Sequence, residues 1–223
     1  MRINIAIDGP SGAGKSTVAK GIAAKMGIIH VDTGAMYRTV GLYMYENGIE
    51  LSDENGIVSS LENVDIKLEY ENGAQHIYLN GRCVDSDIRT DIVSTYASGV
   101  STIQAVRDFL LDTQRNIAKN EDVVMDGRDI GTVVLPDAGL KIFMTANDES
   151  RARRRYKELL ENGESVTFEE VFENMVKRDS KDKNRKIAPA VPADDAVMFD
   201  NTEYGLEESI DYVIDLAKKR FAI

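Results

Sequence analysis

Residues 3–17 read INIAIDGPSGAGKST, and this stretch decides the fold. The apolar run Ile3–Ile7 predicts a buried strand, and residues 9–16 match the pattern G-x-x-x-x-G-K-[ST], followed by a run compatible with a helix. In this context the glycines let the backbone wrap closely, so that N–H groups and the helix N-terminus converge on phosphate oxygens. The sequence therefore predicts a phosphate-binding loop between a strand and a helix.

Two side chains of the loop indicate its chemistry. Lys15 is expected to reach the β- and γ-phosphates of a nucleoside triphosphate, and the Ser16 hydroxyl is expected to ligate Mg²⁺. The guanine-reading pattern Asn-Lys-x-Asp does not occur in the sequence, which weakens the interpretation as a GTPase. The residues expected to bind the triphosphate are Gly9, Pro10, Ser11, Gly12, Ala13, Gly14, Lys15, Ser16 and Thr17. The loop alone does not name a reaction, because switches, motors and small kinases share it.

Short apolar runs alternate with longer amphipathic stretches along the rest of the chain. This spacing is typical of an α/β fold with a parallel sheet and crossover helices. The runs are Ile3–Ile7, Ile28–Val31, Val123–Met125, Leu140–Met144 and Ala196–Phe199. Helices are predicted at about 15–26, 34–47, 101–119, 148–162 and 167–186, and a last helix follows from the apolar period of residues 206–221.

Residues 65–84 break this alternation. Apolar residues alternate there with polar ones, and the dipeptides Asn72-Gly73 and Asn80-Gly81 interrupt the pattern. A small antiparallel hairpin insertion is therefore predicted on the parallel core. We expect one kinase-sized domain over 1–223, with a core of 1–62, 101–150 and 187–223, an insertion at about 63–100, and a lid with flanking helices at about 151–186.

Composition limits the partners. A net charge of −11 disfavours general binding to nucleic acid or anionic membranes, yet residues 151–186 hold 11 of the 27 Lys and Arg residues, as a small anionic ligand would require. Cys83 is the single cysteine, which rules out an internal disulfide and a multi-cysteine metal site. With no apolar run of membrane-spanning length and no room for a signal peptide before the loop, we expect a cytoplasmic protein, as a monomer.

Further motifs accompany the loop in a fixed order. They are DTGAMYR at 32–38, IRT at 88–90, DGRDIGT at 126–132, RDSKDKNR at 178–185, Ala188-Pro189, DDA at 194–196 and DNT at 200–202. Together with the loop and the hairpin, they resemble the bacterial cytidylate kinases over essentially the whole chain. The resemblance implies a P-loop kinase core, an insertion that binds the nucleoside monophosphate, and a mobile lid that carries arginines. The implied reaction transfers the γ-phosphoryl group of ATP to CMP or dCMP.

The resemblance also implies roles for individual residues. Arg38, Arg128 and Arg185 would hold the acceptor phosphate, Arg178 and Asp182 the ribose, and Tyr37 would pack along the acceptor beside Thr33. Ser98, Arg107 and Asp129 would read the cytosine, Arg151 and Arg155 would reach the donor phosphates, and Asp126 would support the metal through water. Asp126 to Asp129 follow an apolar run, so they are expected at the carboxyl end of a strand, where open α/β sheets bind ligands.

The same charged residues also have simpler structural interpretations. Arg178, Asp182 and Arg185, spaced i, i+4 and i+7, would share one helix face, and such a charge run is commonly a solvated ladder of ion pairs. Arg151, Arg153, Arg154 and Arg155 could form a solvated face balanced by glutamates. A P-loop kinase for UMP, AMP or a small metabolite, or a nucleotide-dependent switch, remains the alternative function.

Overall fold

A five-stranded parallel sheet forms the centre of the fold, with the strand order β2-β6-β1-β7-β8. The structure is a computed structural model, and it describes residues 2–71, 74–161 and 163–223. The strands of this sheet are β1 (Asn4–Asp8), β2 (Ile29–Asp32), β6 (Val123–Gly127), β7 (Leu140–Thr145) and β8 (Val197–Asp200). Each falls on one of the five predicted apolar runs, so the predicted parallel α/β class is confirmed.

Helices cover the sheet, and several agree with the prediction to within a few residues. They are α1 (Lys15–Met26), α2 (Thr33–Glu46), α3 (Glu54–Ser60), α4 (Asp91–Val100), α5 (Gln104–Asn120), α6 (Asp148–Glu161), α7 (Phe168–Asn184) and α8 (Leu206–Phe221). Within the three described ranges, no helix has the length and apolar character needed to cross a bilayer.

The helix predicted at 101–119 starts too early. Its first residues form the turn between α4 and α5, because the Ser101 and Thr102 hydroxyls donate to the carbonyl oxygens of Ser98 and Gly99 at 2.9 and 2.7 Å. Side chains that bond back to the preceding turn in this way close a helix end. No helix was predicted by residue range at α3 or α4.

The predicted antiparallel insertion is confirmed as a three-stranded sheet of β3 (Ile66–Glu71), β4 (Ala74–Leu79) and β5 (Arg82–Cys83). Asn80 and Gly81 join β4 to β5, and both have positive φ, 49° and 80°, as a two-residue hairpin turn requires. The turn predicted at Asn72-Gly73 lies outside the described residues.

Two of the three hydrophobic cores in the described residues lie on either side of a cleft. The sheet core, which includes Ile5, Ile7, Ile22 and Val213, lies where α1 and α8 cover one face of the parallel sheet. The insertion-side core contains Met36, Ile77, Val93 and Leu110 and joins α2, β4, α4 and α5. The phosphate loop therefore lies on one packed unit, and the wall of the cleft opposite it lies on another.

Candidate active site

The phosphate loop has the backbone that its glycines allow. Gly14 has φ +86° at the N-cap of α1, where no side chain caps the helix in the described structure, so the first N–H groups of α1 remain for an anion. Gly9 has φ +147°, and a Cβ built there would lie 1.9 Å from the carbonyl oxygen of Met144. Both positions require glycine, one for conformation and one for close packing against β7.

Lys15 lies under the loop. Its Nζ donates to the carbonyl oxygen of Pro10 at 2.7 Å, and the residue is only 6% exposed. Burial, followed by the charge of Arg128, lowers the pKa of Lys15 to about 7. The negative charge of a polyphosphate bound at the loop would favour the protonated form of Lys15 and raise its pKa.

At the end of β6, the buried residues Asp126 and His30 form a polar cluster with half-buried Ser16. Ser16 Oγ donates to Asp126 Oδ2 at 2.6 Å, and His30 Nε2 lies 2.7 Å from Asp126 Oδ1. Asp126 and His30 are 3% and 4% exposed. A hydroxyl and a carboxylate are oxygen ligands of the kind that Mg²⁺ prefers, so the residues fit the metal expected beside Ser16.

The cleft has a volume of about 690 Å³ and runs from the phosphate loop to α4 and α5. It brings together most residues implied by the resemblance: Ser11, Gly12, Gly14, Lys15, Ser16, Thr17, Thr33, Tyr37, Arg38, Ser98, Arg107, Asp126, Arg128, Asp129, Arg155, Arg178, Asp182 and Arg185. Gly9, Pro10, Ala13 and Arg151 are not among its lining residues.

Arginines with unsatisfied donors mark the middle of the cleft. Arg38 donates to Asp32 at 3.0 Å and Arg128 to Asp182 at 3.2 Å. In the part of the chain that the structure describes, the buried Nε atoms of Arg38 and Arg178 have no hydrogen-bond partner. Burial and the charge of Arg128 lower the pKa of Arg178 to about 10. Because buried unpaired donors are costly, these groups fit an anion such as a phosphate.

A second buried cluster lies at the α5 end of the cleft. Asp129 accepts from the guanidinium groups of Arg107 and, at 3.1 Å, Arg185. Burial raises the pKa of Asp129, and the charges of Arg107 and Arg185 offset only part of that rise. The Arg107 guanidinium lies over the Tyr37 ring, 5.7 Å from its centroid. This cluster offers a carboxylate and two cations, which suits a flat polar ligand.

Arg185 is not on the α7 face where its spacing placed it. The helix ends at Asn184, and Arg185 follows it with ψ 145°. Its Nε donates to the carbonyl oxygen of Ala188 at 2.5 Å, which holds the chain in the new direction. The shared face of Arg178, Asp182 and Arg185 is therefore a correct prediction for the first two residues and a wrong one for the third.

Arg151 faces the back of the phosphate loop. Its guanidinium donates to the carbonyl oxygen of Ser11 at 2.6 Å and pairs with Asp179, which also accepts from the N–H of Ser11 at 2.9 Å. Arg151 and Asp179 thus join α6 and α7 to the loop. Arg155 lies in the cleft and pairs with Glu158 at 2.9 Å. Arg153 is exposed and pairs with Glu149, as the solvated-face interpretation expects.

Several lining residues were not assigned from the sequence: Lys20, Asp32, Arg89, Ser94, Ser101, Arg154, Asn201 and Tyr204. Asp32, Arg89 and Asn201 belong to motifs that carried the resemblance, so the signal was present without a role. Asn201 Nδ2 donates to the carbonyl oxygen of Ala13 at 3.0 Å, and Arg154 donates to Asn201 at 3.2 Å. These contacts link the loop to β8, a pairing that local spacing does not reveal.

A strand, a glycine-rich loop and a helix N-terminus that face a cleft rich in arginine define a P-loop phosphotransferase. A solved structure of an uncharacterized protein from Eubacterium ventriosum ATCC 27560 superposes with a TM-score of 0.56 at 14% identity, over 98% of this chain and 100% of that one. This likeness concerns the fold alone.

Sequence comparison identifies the family. Residues 5–219 match the family described as cytidylate kinase. The cytidylate kinase of Thermosipho melanesiensis is 48% identical over 220 residues, 99% of both chains, and that of Caldicellulosiruptor bescii is 47% identical over 218 residues, 98% of this chain and 96% of the relative. The chain belongs to the cytidylate kinase family, and it is accordingly a nucleoside monophosphate kinase.

Proposed function

We propose that this chain transfers the γ-phosphoryl group of ATP to CMP or dCMP in the cleft described above. The observation that carries the proposal is the position of the phosphate loop and the Asp129 cluster in one cleft, with the Arg38 and Arg178 donors between them. The family match supports a cytosine nucleotide as the acceptor.

On the donor side, the N–H groups of the loop and Lys15 would bind the β- and γ-phosphates. Ser16 would hold Mg²⁺ directly and Asp126 through water, and bound Mg²⁺ would neutralise phosphate charge. His30 would keep the Asp126 carboxylate oriented through the 2.7 Å contact. Arg155 would bind the donor phosphates from the lid side. The same role for Arg151 stays a prediction, and its guanidinium contacts the back of the loop.

On the acceptor side, Arg38, Arg128 and Arg185 would bind the phosphate, while Arg178 and Asp182 would bind the ribose. Asp129 would accept from the amino group at N4 of cytosine, and Arg107 would donate to its N3 or O2, with Ser98 beside them. Tyr37 would pack along the nucleotide, next to Thr33. The Thr33 hydroxyl donates to the carbonyl oxygen of Asp126 at 2.8 Å, so its role would be to shape the site.

The reaction asks these residues for alignment and charge stabilisation. An acceptor phosphate is largely a dianion near neutral pH and is already a nucleophile, so no general base is needed. The loop and the arginines would hold the two phosphates in line and stabilise the charge of the phosphoryl group in transfer. The helices of the proposed lid, about 151–186, would exclude water, because water in the closed site would hydrolyse ATP.

A coupled assay with ATP, Mg²⁺ and a panel of CMP, dCMP, UMP and AMP tests the proposal. Nucleotide consumption should depend on the acceptor and be fastest with CMP or dCMP. Preference for AMP would contradict the acceptor assignment. Slow hydrolysis that is independent of every acceptor would instead indicate a nucleotide-dependent switch.

The proposed function also concerns the partners and the location of the chain. We infer that ATP and CMP or dCMP are the small-molecule partners, that nucleic acid and membranes are not partners, and that the chain acts in the cytoplasm as a monomer. The net charge of −11 supports the exclusion of nucleic acid as a partner, because a negatively charged protein repels it. Light scattering at working concentration measures the oligomeric state, and a mass of two chains would overturn the monomer.

A further inference from the structure

We propose that His76, Cys83 and Asp85 form a binding site for Zn²⁺ or a similar transition-metal ion on the insertion sheet. The site would be separate from the cleft, because none of the three residues lines it. One ligand atom from each residue lies within 4.8 Å of the others. The inference is independent of the function proposed above.

Sheet register explains why these three residues meet. Tyr78 pairs with Cys83 across β4 and β5, and the N–H of Val84 donates to the carbonyl oxygen of Ile77 at 2.9 Å, which continues the pairing beyond β5. His76 therefore lies opposite Asp85. Since side chains two residues apart share a face, His76, Cys83 and Asp85 project from one face of the sheet.

The Asp85 carboxylate is already oriented. Its Oδ1 accepts from the N–H of Ile77 at 2.8 Å, and its Oδ2 lies 2.7 Å from His76 Nδ1. A backbone bond that holds a ligating carboxylate is typical of the groups around protein metal sites. His76 and Asp85 have side chains that are 35% and 38% exposed, so they can rotate, and a metal ion can enter from solvent.

The donor set selects the metal. Imidazole nitrogen, thiolate sulfur and carboxylate oxygen are the ligands of Zn²⁺, whereas Mg²⁺ takes oxygen ligands. Around a tetrahedral Zn²⁺ the ligand atoms lie about 3.5 Å apart, given the usual bond lengths. The most widely separated ligand atoms, within 4.8 Å of one another, must therefore close by about 1.3 Å at most. His76 Nδ1 and Asp85 Oδ2, 2.7 Å apart, must open by about 0.8 Å, so the metal replaces the hydrogen bond between them. A water molecule would complete the four ligands.

Binding is a proton exchange without oxidation. The metal accepts an electron pair from neutral His76, one from the Asp85 carboxylate and one from the Cys83 thiolate. The thiol proton leaves to solvent, so affinity should fall as pH is lowered. Because β5 contains only two residues at the edge of its sheet, a metal that joins β4 to the segment after β5 should stabilise this edge.

The test uses the full chain, treated with chelator and free of nucleotide, with Co²⁺ and Zn²⁺ as probes. One equivalent of Co²⁺ should give the charge-transfer absorption of a thiolate ligand, and Zn²⁺ should abolish it. Because Cys83 is the single cysteine, its reaction with a thiol reagent is a direct second readout, and Zn²⁺ should slow that reaction at least tenfold.

Three variants and one matched control separate a built site from a reactive thiol. His76→Asn and Asp85→Asn should each weaken Zn²⁺ binding at least tenfold, and Cys83→Ser should remove the charge-transfer band. Asp87→Asn, an exposed carboxylate two residues from Asp85 that pairs with Arg82, should bind as the wild type does. Circular dichroism of each variant checks the fold. Absence of stoichiometric binding, or protection of Cys83 that survives both His76→Asn and Asp85→Asn, would overturn the site.

Discussion

Asp129 is the residue on which acceptor choice depends in the proposed function. It is 4% exposed and accepts from two arginines, so its carboxylate is fixed in the cleft. A fixed acceptor favours the amino group of cytosine and opposes the carbonyl oxygen that uracil has at the same place. A polar group that is wrong in a closed site typically costs a few kcal/mol.

We therefore predict that Asp129→Asn lowers the ratio of kcat/KM for CMP to that for UMP at least tenfold. The amide can donate to uracil as readily as it accepts from cytosine, so selectivity falls more than activity. Asp182→Asn is the matched control, since that carboxylate is assigned to the ribose, and it should lower both acceptors alike. An unchanged ratio in Asp129→Asn would place the reading of the base elsewhere.

Arg178, which the proposed function assigns to the ribose, lowers the stability of the protein before any ligand binds. It is packed among other cations, its Nε has no partner within the described residues, and burial lowers its pKa to about 10. In the proposed function such a group would be retained for binding, at the expense of stability.

Arg178→Met should therefore raise the melting temperature of the nucleotide-free protein while lowering kcat/KM at least tenfold. Methionine fills the space of the aliphatic stem and removes the buried charge. Thermal unfolding without nucleotide and steady-state kinetics with CMP measure the two effects. Lys177→Met, on an exposed neighbour paired with Glu173, is the control and should change neither. A melting temperature that falls in Arg178→Met would contradict the argument.

At the scale of elements, sequence periodicity predicted the strands and helices that depend on local sequence patterns. The strand, loop and α1 follow from one continuous stretch, and the insertion follows from residues that alternate between two faces. Local patterns gave no residue range for α4, because its sequence DIVSTYASGV is rich in β-branched residues, serine and glycine, which are weak helix formers. Packing makes it a helix: a Cβ at Gly41 of α2 would lie 2.8 Å from the N atom of Ala97, so the two helices touch closely.

The candidate site likewise contains residues that local patterns could predict and residues that they could not. Motif residues such as Lys15, Arg128 and Asp129 could be predicted because each stands at a strand end or helix start. The position of Arg151 could not, since its partners Ser11 and Asp179 come from other parts of the chain. Contacts between distant segments are the part of the site that spacing cannot give.

Asp8 also makes a contact between distant segments of the chain. It ends β1, and its carboxylate accepts from the N–H groups of Ile130 and Gly131 at 2.7 Å each, which fixes the turn after β6. Burial raises the pKa of Asp8 from 3.8 to about 6 despite these bonds. The folded state therefore binds a proton more tightly than the unfolded chain does.

The raised pKa of Asp8 sets the direction in which stability changes with pH. Between pH 4 and 6 the folded protein holds a proton that the unfolded chain has lost, so the contribution of Asp8 to stability is present below about pH 4 and is lost as pH rises through 6. The stability difference between wild type and Asp8→Asn should shift by up to about 3 kcal/mol, toward the variant, from pH 4 to pH 7. Urea unfolding measures it, with exposed Asp137→Asn as a control that should follow wild type. A pH-independent difference would mean that Asp8 titrates alike in both states.

At the scale of the whole molecule, charge is distributed between surface and cleft. The chain carries a net charge of −11, yet eight arginines line the cleft. An acidic exterior with a cationic cleft concentrates anionic ligands at the site and discourages polyanions from binding elsewhere. The cleft also lies between the elements of the sheet core and those of the insertion-side core, so each proposed nucleotide site is built mainly from one of these two units.

This division predicts where each nucleotide protects the backbone from hydrogen exchange. A non-hydrolysable ATP analogue with Mg²⁺ should slow exchange in the phosphate loop, α1 and the start of α8, because Lys15, Asn201 and Leu206 line that end of the cleft. CMP alone should slow exchange in α2, α4 and α5, which carry Arg38, Ser98 and Arg107. Bound ligand stabilises the amides that it orders, so protection maps the site. Lys15→Ala should lose the effect of the analogue and keep that of CMP. If CMP alone instead protected the start of α8 and left α4 unchanged, the two ends of the cleft would have the reverse roles.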